Sequence, residues 1–387
     1  MDKIFADSER QVIEAVRLAR ETRTPFEIMA GGTRRGFGRP VSATVLDVSG
    51  LKGIRNYEPE ELILTAAPAT PLGEIEQALS AKGQRLGFDP ADWSSLFGAT
   101  GAATLGGAIC CDANGPARVR YGAARDQLLG LHAVNGFGES FKAGGRVVKN
   151  VTGFDIPKLV CGAMGTLCVL TEVTFRVFPK PQGTSVLAVD DVTPEEGLAL
   201  LRRVWSSVLE PTGLAYLPSS EVGTAGRGTA LMRLEGASIP LKEKTALLTK
   251  LIGTHASRML DDDAMFRKIG AGIPFAGKDL DVWRVALPPS EAARFAETIA
   301  SPLWYADWAG GLLWVGTKPG DDAAAQTLRA LATKAGGHVT LLRADSATRA
   351  RGVFPPLDAE HLALTRSVKS AFDPLSLFNP GRMYENI

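Results

Sequence analysis

Histidine is scarce in this chain, with four in 387 residues, at His132, His255, His338 and His361. Their wide spacing leaves few candidates for a general base or a metal site. Cysteine is equally sparse. Cys110, Cys111, Cys161 and Cys168 fall in one short region and form no Cys-x-x-Cys pair, which argues against a disulfide framework, an iron-sulfur cluster or a zinc site. A reducing, cytoplasmic compartment fits that usage. Neither sign of charge dominates: 43 Lys and Arg stand against 42 Asp and Glu, for a formal net charge of +1. The basic residues are scattered, so no nucleic-acid footprint is expected. Long apolar runs are missing, and none approaches the roughly 20 residues of a membrane helix. The start, Met1 to Asp7, lacks the basic-then-apolar layout of a signal peptide, so a soluble protein without direct membrane insertion is expected.

The length exceeds what one hydrophobic core usually serves, which predicts two lobes. Ser8-Glu9-Arg10-Gln11 reads as a capping box before Val12, Ala15, Val16 and Ala19, which share one helical face, and Pro25 is expected to end that helix. Strands follow at Phe26 to Ala30, Thr44 to Val48 and Glu61 to Ala67. Thr70-Pro71 starts a helix with proline at its first position, stopped by Gly83. From Gln127 to Pro179 long strands dominate, and Pro179-Lys180-Pro181-Gln182-Gly183 is the best linker. Beyond it, two βαβ-like units resemble a ferredoxin-like arrangement. One holds Val186 to Val189, a helix from about Pro194, the strand Ala230 to Leu234 and the Leu241 to Leu251 helix. The other runs from Val282 to Leu342, with a hairpin at Gly310-Gly311.

What the chain does contain is glycine, 42 residues of it, with two clusters early on. Ala30 to Gly38 follows a strand directly, and Gly98 to Gly107 lies well beyond it. Glycine admits close backbone approach, so amides in such loops can face an anion. Gly31-Gly32-Thr33-Arg34-Arg35-Gly36 has neither the G-x-x-x-x-G-K-[ST] nor the G-x-G-x-x-G spacing, which counts against a nucleotide-triphosphate hydrolase and a Rossmann dehydrogenase.

These clusters, together with Lys149 to Asp155, Gly165-Thr166-Leu167 and the closing Phe372-Asp373-Pro374 and Phe378 to Met383, carry a resemblance. The chain resembles the PCMH-type FAD-binding fold of the vanillyl-alcohol oxidase superfamily, and within it the FAD-binding E subunits of glycolate oxidase. The likeness is specific over residues 1–181 and 355–387. It implies an α+β chain with a two-subdomain FAD-binding domain over 1–181, a ferredoxin-like α+β cap domain over 182–354, and a return to the FAD domain over 355–387. It implies that Gly31, Gly32, Thr33, Arg34, Arg35, Gly36 and Phe37 surround the FAD diphosphate. Thr104, Leu105, Gly106 and Gly107 would line the flavin, and Gly165, Thr166 and Val169 the nucleotide side. Arg34 and Arg35 read equally well as solvated surface charges.

The chain departs from related flavin dehydrogenases at Asp112, Met164 and Cys168, where they carry Asn, Glu and Gly. No histidine lies in the first loop, so noncovalent FAD is expected. The His-x6-His pair of the catalytic 2-hydroxyacid dehydrogenase relatives is absent as well, and no metal is expected. His361 reads as a surface or capping residue, His338 as a strand start and Cys110-Cys111 as small buried residues. Trp304, Trp308 and Trp314 read as sheet core or a partner surface. No catalytic residue is assigned. The resemblance implies a subunit of a complex that oxidises glycolate, a 2-hydroxyacid, to glyoxylate. A second flavoprotein subunit and an iron-sulfur subunit would be its partners, in the cytoplasm or held at the inner membrane through them. A self-sufficient FAD oxidase of another alcohol or sugar, and a non-catalytic assembly subunit with structural FAD, stay open.

Overall fold

The computed structural model describes residues 3–146, 153–219, 226–299, 301–385 and 387; Lys149 to Thr152 of the family motif lies outside them. Ser8 caps the first helix, Glu9–Thr22, by accepting from the Gln11 amide. The returning bond differs from a capping box, because the Gln11 carboxamide accepts from the Asp7 amide (2.7 Å), one residue before the cap. The helix closes at Arg23, in the left-handed region (φ 55°), before Pro25 is reached. Val12, Ala15, Val16 and Ala19 are its buried face, packed in a core with Phe26, Leu46 and Phe378. Burying each valine contributes on the order of 1.5 kcal/mol.

Strands β1 (Lys3–Phe5), β2 (Phe26–Met29) and β3 (Thr44–Asp47) form a parallel sheet in the order β1-β3-β2. The next strands are β4 (Ile54–Glu58), β5 (Ile63–Ala66), β6 (Gln84–Arg85), β7 (Leu128–Asn135), β8 (Ser140–Gly144), β9 (Cys168–Arg176) and β10 (Phe178–Pro179). They build an antiparallel sheet β4-β5-β9-β7-β8 and the short pair β6-β10. The Leu72–Ser80 helix lays Leu72, Ile75 and Leu79 onto a core with Leu131, Val173 and Phe175. Pro71 is its cap rather than its first residue, and it ends at Ser80, ahead of Gly83.

The C-terminal segment completes this part of the chain. Phe26 donates to Leu377 O (2.6 Å) and Asn379 donates back to Phe26 O (2.8 Å), which extends the β2 edge in parallel. The chain divides into two units, one made of Met1–Asn114, Gly122–Lys180 and Arg349–Ile387, the other of Gly115–Tyr121 and Pro181–Thr348.

The second unit holds one antiparallel sheet of eight strands: β11 (Gly183–Val192), β12 (Gly213–Pro218), β13 (Gly228–Gly236), β14 (Ser257–Leu260), β15 (Asp281–Ala286), β16 (Leu303–Asp307), β17 (Leu312–Thr317) and β18 (His338–Arg343). Their order is β14-β11-β13-β12-β16-β17-β15-β18. With helices Pro194–Trp205 and Ser238–Ile252 in the first half, and Ala292–Thr298 and Asp322–Lys334 in the second, each half reads βαββαβ with ferredoxin-like strand order. The halves join where Tyr216 of β12 pairs with Ala306 of β16. The fold is α+β, as expected. No described helix is long and apolar enough to cross a membrane.

Candidate functional site

The two glycine loops meet backbone to backbone. A Cβ added at Gly31 would fall 2.0 Å from Ala102 O, and one added at Gly101 would fall 2.0 Å from Gly31 O. Only glycine permits that approach. Beside this seam lies a cleft whose empty space, including its mouth, is about 840 Å³. Its wall includes Gly31, Gly32, Thr33, Arg34 and Arg35 from the first loop and Thr104, Gly106 and Gly107 from the second. Gly165 and Val169 complete the sequence-expected lining.

Four expected residues stand elsewhere. A Cβ at Gly36 would meet the Phe97 ring at 2.7 Å, so this glycine serves packing. Phe37 is buried, its ring edge-on to Trp93 (centroids 5.9 Å) and tilted against Phe354 (5.7 Å). Leu105 is fully buried in the core under the five-stranded sheet. Thr166 turns its hydroxyl to Ala163 O (2.7 Å), while its carbonyl accepts from Lys369 Nζ (2.6 Å). In each case apolar packing or an internal hydrogen bond wins over exposure to the cleft.

The loops also differ in what their amides do. Gly106 N donates to Pro68 O (2.7 Å) and Gly107 N to the Thr104 hydroxyl (3.3 Å), so these second-loop donors are already taken. The amides of Gly31, Gly32, Thr33 and Arg34 have no hydrogen-bond partner among the described residues. Successive unpaired amides in a loop with a left-handed residue, Gly32 (φ 70°), make an anion nest.

The cleft wall carries an excess of positive charge. Arg34, Arg35 and Arg382 line it with a single carboxylate, Glu27. Glu27 is buried and held by Arg35 (Nε–Oε1 2.9 Å, Nη2–Oε2 2.5 Å) and by Arg382 Nη1 (3.3 Å). Arg382 also donates to Arg35 O (3.0 Å), tying the C-terminal segment to the first loop. Asn379 bridges two walls: its Oδ1 accepts from Ile28 N (3.0 Å) and its Nδ2 donates to Met164 O (2.8 Å). Arg34 is 6% exposed; its Nη2 donates to Ala91 O, but Nε and Nη1 have no hydrogen-bond partner among the described residues. Burial pulls its pKa down, although a guanidinium stays protonated.

Cys110 and Cys111 line the cleft as protonated thiols. Burial pushes Cys110 up to about 12 and raises Cys111 as well, so neither is a ready nucleophile. Met164 and Cys168, two of the departures from related dehydrogenases, line the cleft too, whereas Asp112 does not. None of the four histidines lines it. Asp358 caps the Ala359–Phe372 helix by accepting from the His361 amide (2.8 Å), with His361 Nδ1 2.8 Å from the same carboxylate, and His338 starts β18. Trp314 is sheet core, stacked on Tyr305 (5.6 Å). Among the described residues no cluster of histidine, cysteine or carboxylates could hold a metal.

A buried cationic donor without a partner, a nest of unpaired amides and a seam closed to any Cβ fit a phosphate-bearing cofactor. The FAD-binding domain family matches residues 3–144. Glycolate oxidase subunit GlcE of Escherichia coli K12 is 31% identical over 98% of this chain and 99% of its own length. The chain belongs to this family of FAD-binding oxidoreductases. Its cofactor is FAD. A D-lactate dehydrogenase of Archaeoglobus fulgidus is 24% identical over 98% of the chain and 90% of its own length. The fold is shared with a substrate-bound p-cresol methylhydroxylase (TM-score 0.74, 14% identity, 98% of this chain and 88% of that one). It is shared too with alkyldihydroxyacetonephosphate synthase (TM-score 0.72, 17% identity, 98% and 75%).

Sequence reading missed Glu27, Asn379 and Arg382 as part of the cleft wall. The C-terminal signature Phe378 to Met383 was the available signal: the resemblance implied a return of 355–387 to the FAD domain, but not which residues of the first loop it would meet.

Proposed function

We propose that this chain is the FAD-binding subunit of a complex that oxidises glycolate or a related 2-hydroxyacid, passing electrons through flavin to an iron-sulfur partner. The unpaired amides of residues 31–34 beside the partnerless Arg34 donors carry the FAD part of this reading. The full-length similarity to a glycolate oxidase subunit supports the substrate and the complex. In this proposal Gly31 to Arg35, Thr104, Gly106, Gly107, Gly165 and Val169 hold the cofactor noncovalently.

FAD supplies a hydride acceptor when bound. The chain's own residues bind it, keep water from its anionic part and fix the loops around it. They furnish no obvious base on the cleft wall, where Glu27 is committed to two arginines and the thiols stay protonated. That observation favours a subunit that works in company over a self-sufficient oxidase.

The purified chain should show flavin absorbance, and FAD at a hundred times its Kd should add about 2.7 kcal/mol of stability. Absence of both sinks the reading. Turnover of glycolate by the isolated chain would instead establish the self-sufficient alternative.

A further inference from the structure

We infer that Arg34 is the anion receptor of the cleft, its guanidinium taking a negatively charged oxygen of the bound dinucleotide, while the adjacent Arg35 braces the loop. This rests on the FAD reading above. The two arginines are neighbours in sequence and opposites in environment. Arg35 is half-exposed and bonded by two nitrogens to Glu27, which Arg382 also contacts, so its charge is balanced inside the protein.

Arg34 has no such balance. Its Nη2 bond to Ala91 O uses a neutral acceptor, and its guanidinium lies 5.4 Å from the centroid of the Trp93 ring. Asp92 is the carboxylate that acts on it electrostatically, yet Asp92 Oδ1 is taken by the Ser94 amide (2.9 Å) and hydroxyl (2.5 Å), and its side chain is exposed. The nearby Cys110 and Cys111 thiols, kept protonated by burial, supply no thiolate counter-ion. A buried cation with two unmatched donors is costly, and proteins retain one where a partner arrives.

The position of those donors says what kind of partner. A Cβ at Gly107 would stand 3.4 Å from Arg34 Nη1, so the guanidinium reaches from the first loop to the second. The unpaired amides of Gly31 to Arg34 belong to the same loop. Backbone donors and a forked cation together suit oxygens of one anionic group. In FAD that group is either the diphosphate or the flavin ring once reduced and anionic.

The test uses the full chain stripped of flavin, titrated with FAD, ADP and riboflavin for wild type, Arg34→Met and Arg35→Met. Arg34→Met should weaken FAD binding roughly tenfold to a hundredfold, the loss expected for a charge-assisted hydrogen bond. The flavin-free R34M protein should melt no lower than wild type, since an apolar side chain replaces an unpaired charge. Arg35→Met should do the reverse, lowering the melting temperature with a smaller effect on FAD.

Weaker ADP binding with riboflavin unchanged assigns the diphosphate. Unchanged ADP binding with a lowered midpoint potential of the bound flavin assigns the reduced ring. If R34M binds FAD and ADP as wild type does and its flavin potential is unmoved, the inference is overturned while the FAD reading stands. Wild type that takes up no FAD overturns both. Should R34M fail to fold, Arg34→Lys, which keeps the charge without the fork, must still weaken FAD severalfold, and unchanged affinity there rejects the proposal.

Discussion

A methyl group at Gly101 would sit 2.0 Å from Gly31 O, an overlap that backbone cannot relieve without parting the two loops. Gly101→Ala should therefore cost about 1–3 kcal/mol in urea unfolding and weaken FAD retention, and full flavin content at wild-type stability would refute the seam. Lys369 is a second residue on which the site depends. Its buried ammonium donates to Asp373 Oδ2 (2.7 Å), Thr166 O (2.6 Å) and Phe378 O (3.1 Å), which holds the segment before Asn379 in place. Lys369→Met leaves the buried Asp373 carboxylate without its cation, an expected loss of about 3–5 kcal/mol. A change below about 1 kcal/mol would show that the pair is dispensable. The role of Lys369 was not readable from sequence, because a lysine four residues before an aspartate is ordinary on any exposed helix.

At the scale of elements, periodicity performed well where one face is wet and poorly where both are dry. The Glu9–Thr22 helix was legible from Val12, Ala15, Val16 and Ala19. Strand β12 was not, since its Gly-Leu-Ala-Tyr segment is buried throughout and shows no alternation. The edge strand β14 escaped for the opposite reason, being short and mostly exposed. A bulge in β11 between Val189 and Val192 frees Asp190 to accept from Thr229 Oγ1 (2.7 Å) and from Arg258 Nε of β14 (2.6 Å). The Arg258 hydrogen bond is the main cause that holds the Asp190 pKa below the usual carboxylate range. The folded pKa being the lower one, this contribution is present above the unfolded value near 4 and is lost as pH falls through the folded value. Amide exchange in β14 should accelerate below about pH 4 in wild type. Arg258→Met should show that faster exchange already at neutral pH; identical exchange in the two proteins at pH 7 would reject the link.

At the scale of the molecule, the FAD-binding unit is assembled from three separate stretches of chain, the last of which begins at Arg349. The cleft depends on all this distance: Ile28, Met164 and Asn379 are joined by one side chain spanning more than 350 positions. Flavin binding should accordingly slow amide exchange together in residues 27–35, 104–111, 164–170 and 379–382. Protection confined to the first loop would contradict a cleft built from all four segments. Such long-range closure is slow to form, so the holo chain should refold more slowly than a helical protein of its size.

Sequence alone determined where the glycine clusters lie and that they lack the competing phosphate-loop spacings, because both depend only on local order; FAD and the α+β fold were implied by the family resemblance that these clusters carry together with the closing segment. It also showed the shortage of histidine, which left the substrate side without an assigned base. Which glycine-loop residues face the cleft was decided by tertiary packing. Phe37, Leu105 and Gly36 sit beside cleft residues in sequence, yet they are claimed by Trp93 and Phe354, by the sheet core and by Phe97. The separation of Arg34 from Arg35 was decided the same way: two identical adjacent side chains acquire different roles only when Glu27 and Arg382 arrive beside one of them.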